Sequence, residues 1–153
     1  MQGRYYKRFS NLLQEKSLAS DNHMAGQLVR AIDHCSLIVA NTAKSLEFYM
    51  GILGLKVDES RPDLGYPGAW LVVGGSQIHL LELPNPDSVD NRPQHGGRDR
   101  HVALQVSDLT ILIKRLQQAN IAYSKSKSGR KALFCRDFDG NAIELVEKQG
   151  SLY

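Results

Sequence analysis

An internal repeat constrains this chain more than any other feature of its sequence. The segment IDHCSLIVANTAKSLEFYMGILGLKV is echoed by RHVALQVSDLTILIKRLQQANIAYS, and AWLVVGGSQIHLLEL is echoed by KALFCRDFDGNAIELVE. Each half opens on a strand with a histidine near its start. A capped turn, an apolar-periodic helix, a further β-prone run and a hairpin follow, so the unit is β-α-β-β-β. Thr42 is placed to cap the first helix, whose apolar stripe is Leu46, Tyr49, Met50 and Leu53, with Gly54 ending it. Ser107 or Asp108 caps the second, Leu109, Leu112, Ile113 and Leu116 form its stripe, and Asn120 closes it. Gly74-Gly75 and Asp139-Gly140-Asn141 fall where hairpins need residues tolerant of positive φ.

The repeat also aligns the chemistry. His34 lies 67 residues before His101, and His79 lies 65 residues before Glu144. Strand alternation puts His34, Ser36 and Ile38 on one face and Cys35, Leu37 and Val39 on the other. His101, Ala103 and Gln105 likewise oppose Val102, Leu104 and Val106. The apolar faces belong under the helices, and the faces with histidine, serine and glutamine look into a cavity. His34, His79, His101 and Glu144 are therefore expected to converge on one divalent metal ion. Three imidazoles and a carboxylate suit Zn, Ni, Fe, Mn or Co. Such an ion supplies Lewis-acid stabilisation of a developing oxyanion, and Glu144 is the candidate base. Ser36, Trp70, Gln105 and Phe134 are the expected substrate-contacting walls.

Composition bounds the rest. With 153 residues, 42% of them hydrophobic, the chain has enough material for one core. The net charge of +3 comes from 19 basic residues scattered among 16 acidic ones, which argues against a nucleic-acid surface. The absence of a secretory h-region or a long apolar run, and the presence of only Cys35 and Cys135, point to a reduced cytoplasmic protein with no membrane partner. Cys35 belongs to the apolar face and Cys135 is near enough to line the cavity. Arg98, Arg100, Arg130 and Lys131 flank the second-half strands and could receive a carboxylate or phosphate, although solvated loop charges are the stronger reading, as they are for His95 and His23. Residues 1–27 read as an N-terminal extension or leader, in which Tyr5, Tyr6, Phe9, Leu12 and Leu13 can share a helix face. Residues 28–148 are one domain, with module one at 28–84, a linker at 85–99 and module two at 100–148; residues 149–153 are a tail.

The motifs IDHCSLIV, LEFYMGILGLKV, RHVALQV and DFDGNAIELVE resemble the vicinal oxygen chelate superfamily, which includes glyoxalase I, fosfomycin-resistance thiol transferases, epimerases, extradiol dioxygenases and bleomycin-resistance proteins. The resemblance covers residues 28 to 148. It implies an α+β fold of two tandem β-α-β-β-β modules forming an open, cup-shaped mixed sheet around a metal, completed in a homodimer; exposed sheet edges argue for the same assembly. It places the ligand positions on His34, His79, His101 and Glu144. Many glyoxalase I enzymes carry glutamate where this chain has His79, while the dioxygenases and fosfomycin enzymes use two histidines and one glutamate. Phe138 replaces the proline usual in the closing turn. The expected function is a metal-dependent glyoxalase-like lyase or isomerase acting on a small oxygen-chelating substrate or thiol adduct. The alternatives are an Fe(II) ring-cleaving dioxygenase, a drug- or metabolite-binding resistance protein, and a fosfomycin-type thiol transferase.

Overall fold

A computed structural model of the chain describes residues 28–148. The expected helix face between Tyr5 and Leu13, His23 and the tail at 149–153 lie outside these residues. Residues 28–31 belong to a separate N-terminal unit and form no helix or strand; the chain from Ile32 onward is one compact unit.

In that unit the repeat appears as two four-stranded mixed sheets. The first contains β1 (His34–Val39), β2 (Lys56–Asp58), β3 (Gly68–Val73) and β4 (Ser76–Glu82), in the order β1-β4-β3-β2. The second contains β5 (His101–Val106), β6 (Tyr123–Lys125), β7 (Ala132–Arg136) and β8 (Ala142–Glu147), in the order β5-β8-β7-β6. In each, the opening strand runs parallel to the last and the inner hairpins are antiparallel. The α+β class and the module topology are thus as expected.

The helices carry two corrections. The first, α1 (Thr42–Leu46), is capped by Asn41, not Thr42: the Asn41 side chain accepts from the Lys44 amide, and Thr42 is the first helical residue. After Leu46 the backbone widens into a π-helical turn, Glu47–Ile52, in which the Leu53 amide reaches back five residues to the Phe48 carbonyl. That shift rotates the buried stripe. Phe48, Tyr49 and Ile52 face the core, and Met50, expected there, is exposed. Helix α2 (Leu109–Gln118) keeps a regular period, with Leu109, Leu112 and Leu116 buried. Asp108 caps it, and Asn120 ends it in the left-handed region at φ 54°. The module repeat extends to these starts: Glu82 Oε2 accepts from the Thr42 amide at 2.7 Å, and Glu147 Oε2 accepts from the Leu109 amide at 3.0 Å.

One apolar core lies between helices and sheets. Val39, Phe48, Tyr49, Leu71, Ile78, Leu80, Leu116, Leu133, Ile143 and Leu145 are its fully buried members, each worth roughly 1.5–3 kcal/mol for a side chain taken out of water. Cys35 and Leu37 pack against it, as strand alternation requires. Cys135 also belongs to this core, because it shares its face of β7 with Leu133; burial pushes its thiol up to about 12. A polar staple joins the modules at one end. Tyr49 donates to Asp137 Oδ2 at 2.8 Å, Asn141 bridges Asp137 and the Ile38 carbonyl, and Asp139 accepts from the Ala40 amide and Ser45.

Candidate functional site

The polar faces of the two sheets carry the predicted residues in matching register. In the first sheet Ser36, His79, Trp70 and Asp58 form one row across β1, β4, β3 and β2. His34 is opposite Gln77, one row away, so it meets His79 on the diagonal. The two imidazoles stack with centroids 4.0 Å apart and planes 12° from parallel. Trp70 stacks on the other side of His79 at 4.5 Å and 11°. In the second sheet Ala103, Glu144, Phe134 and Ser124 form the corresponding row, and His101, opposite Ala142, meets Glu144 on the same diagonal.

Each histidine has a fixed partner. His34 Nδ1 is 2.8 Å from Asp33 Oδ2, and His101 Nδ1 is 2.8 Å from the Asp99 carbonyl oxygen. Both partners only accept, so Nδ1 carries a proton and Nε2 is the nitrogen through which either ring could bind a metal. His101 Nε2 lies 3.4 Å from Glu144 Oε2. Two donors bound at 2.0–2.2 Å to a tetrahedral ion are themselves about 3.4 Å apart, so this pair has the spacing of adjacent ligands. Glu144 is only 4% exposed. The chemistry of His34, His101 and Glu144 therefore fits a divalent ion. His79 differs: its Nε2 is 2.8 Å from Gln77 Oε1, and burial, followed by repulsion from His34, lowers its pKa.

The structure brings the four predicted ligands together as two pairs. Among the described residues no group of three or more His, Cys, Asp or Glu side chains converges within one chain. Of the predicted walls, Ser36 and Gln105 are exposed on the polar faces, and Trp70 is half-buried in its stack. Phe134 is buried, set edge-on to His101 with ring centroids 5.3 Å apart. It is also roofed by the linker, whose 3-10 turn Gly96–Arg98 lies so close that a Cβ on Gly96 would fall 3.0 Å from Phe134 Cβ. His95 is not solvated as expected but packs its ring 4.9 Å from Phe134.

Two further participants were not assigned to the site from the sequence. Arg130, read as a solvated loop charge, donates to Glu144 Oε1 at 3.0 Å from the turn between β6 and β7. Asp99 accepts from Arg92 and Arg136 while its carbonyl orients His101, so the linker's end is fastened to β7. Only the spacing of Arg130 from β7 hinted at the first, and nothing in the sequence pattern marked the second.

The paired modules and matched site register define a two-module glyoxalase-type fold. Residues 31–145 match the family model of the Glyoxalase/Bleomycin resistance protein/Dioxygenase superfamily, and the chain belongs to that superfamily. It is 30% identical over 121 residues to Glyoxylase I 4 of Arabidopsis thaliana, covering 75% of this chain and 69% of that protein. It is 28% identical to metallothiol transferase FosB of Staphylococcus epidermidis, covering 77% and 84%. Among solved structures, a glyoxalase family protein from Bacillus anthracis superposes with a TM-score of 0.66 at 19% identity, covering 80% of this chain and 98% of that one. Among the described residues no helix is long and apolar enough to cross a membrane.

Proposed function

We propose that the chain is a metal-dependent enzyme of the glyoxalase type, a lyase, isomerase or thiol-adduct-forming catalyst for a small substrate with neighbouring oxygens. The observation that carries this reading is the His101 Nε2 to Glu144 Oε2 pair, 3.4 Å apart, repeated in register by His34 and His79 on the first sheet. His34, His101 and Glu144 are the donors for one divalent ion. Held by these residues, such an ion would supply Lewis-acid stabilisation of charge developing on a substrate oxygen. Glu144 is the candidate base: on loosening from the ion its Oε2 would take and return the substrate proton, while Arg130 holds Oε1 and fixes the carboxylate's direction. Phe134 and Trp70 flank the donors with apolar walls. The likeness to a glyoxylase I and to a metallothiol transferase supports this class.

Because one chain presents its donors as two pairs, and both polar faces leave their opening histidines exposed, the complete site is read as shared between two copies: His34 from one and His101 with Glu144 from the other. Protein purified without added metal is expected to hold close to one transition ion per chain, and His34→Ala, His101→Ala and Glu144→Ala should each lose it. A wild-type chain that neither carries nor takes up Zn(II), Mn(II), Fe(II), Co(II) or Ni(II) would sink the proposal.

A further inference from the structure

We infer that His79 is a positioning residue for His34, held as a flat platform by Gln77 and Asp58, and does not itself bind the metal; this rests on the metal-enzyme reading above. The Asp58 carboxylate can only accept. Gln77 therefore turns its amide nitrogen toward Asp58 Oδ2, at 2.6 Å, which leaves its carbonyl oxygen facing His79. That oxygen is 2.8 Å from His79 Nε2, so Nε2 carries the proton and is committed to Gln77. The ring is then clamped between two parallel planes, Trp70 at 4.5 Å and His34 at 4.0 Å. With Asp33 holding His34 Nδ1, the stack leaves His34 one orientation, with Nε2 free.

The second module has no such chain, since Ala142 stands where Gln77 stands and Glu144 where His79 stands. The two modules thus give their matched positions different work: one supplies a carboxylate donor and the other a rigid backing for an imidazole.

Imidazole nitrogen NMR of the full-length protein separates the roles. In metal-free protein the His79 Nε2–H should show the signature of a hydrogen-bonded donor, and Gln77→Ala should remove it. On addition of Zn(II), the Nε2 resonances of His34 and His101 should move to the position of a coordinated nitrogen while His79 stays where it was. His79→Phe, which keeps a flat ring but no nitrogen, should keep zinc affinity within about threefold, whereas His79→Ala should weaken it on the order of tenfold. Zinc coordination at either nitrogen of His79 would overturn the inference and leave the enzyme reading standing. A wild-type chain that takes up no zinc would overturn both.

Discussion

Glu144 meets Arg130 across fourteen residues of chain, and the pair joins a buried carboxylate to a guanidinium whose side chain is 60% exposed. Solvent screens the exposed end, so most of the energetic consequence of losing it falls on Glu144, left with only His101. Arg130→Ala is expected to destabilise the metal-free protein by about 1 kcal/mol, with a smaller loss when Zn(II) is bound and takes over the carboxylate; urea unfolding with and without zinc measures both. The glycine beneath the linker gives a second test. Gly96→Ala places a methyl group 3.0 Å from Phe134 Cβ and should cost about 1–3 kcal/mol, while Gly75→Ala, with open space around it, should be neutral or mildly stabilising. The placement of His34, His79, His101 and Glu144 in matching register was legible because strand alternation and a repeat can both be read along the linear sequence. Arg130, Gln77 and Asp58 were not, because each acts through a partner on another strand or turn, and a one-dimensional period carries no information about which neighbour faces it.

At the scale of elements, the strands were read more faithfully than the first helix. Alternating polar and apolar positions in β1 and β5 fall on the faces that their sequence assigns, with Val39 and Leu104 buried and Ser36 and Gln105 exposed. The π-helical turn escaped because Leu46, Tyr49, Met50 and Leu53 fit a regular helix equally well; only the competition of Phe48 and Ile52 for the core decides the register. Both helix starts depend on a carboxylate from the last strand of their own module. The Leu109 amide holds Glu147, and the Thr42 amide holds Glu82, below the usual carboxylate range. A depressed folded-state pKa means that this stability is fully present above the ordinary glutamate value and is lost as the pH falls through the folded one. The acid limb of a thermal-stability profile should therefore become shallower in Glu82→Gln and Glu147→Gln, the midpoint at neutral pH falling at the same time.

At the scale of the molecule, the staple around Asp137 ties the first module to the second. Tyr49 is fully buried and its hydroxyl has Asp137 as a charged acceptor, so Tyr49→Phe should cost roughly 1.5–3 kcal/mol in global unfolding. Assembly is tested by mixing His34→Ala with Glu144→Ala. Neither alone should bind zinc, and a site shared between copies predicts partial recovery in the mixture, whereas a site within one chain predicts none. The arrangement of one module against another was the least legible part of the sequence, because both modules have similar faces and the repeat alone does not say which pairs with which.

The staple also orders events during synthesis. Every strand pairing in the first sheet is complete once Glu82 has left the ribosome, yet the phenol of Tyr49 must wait for a carboxylate 88 residues further along. Until Asp137 is synthesised, the acceptor that the Tyr49 hydroxyl has in the folded chain does not exist. A pause in translation between the modules therefore lengthens the time for which the Tyr49 hydroxyl is without that acceptor.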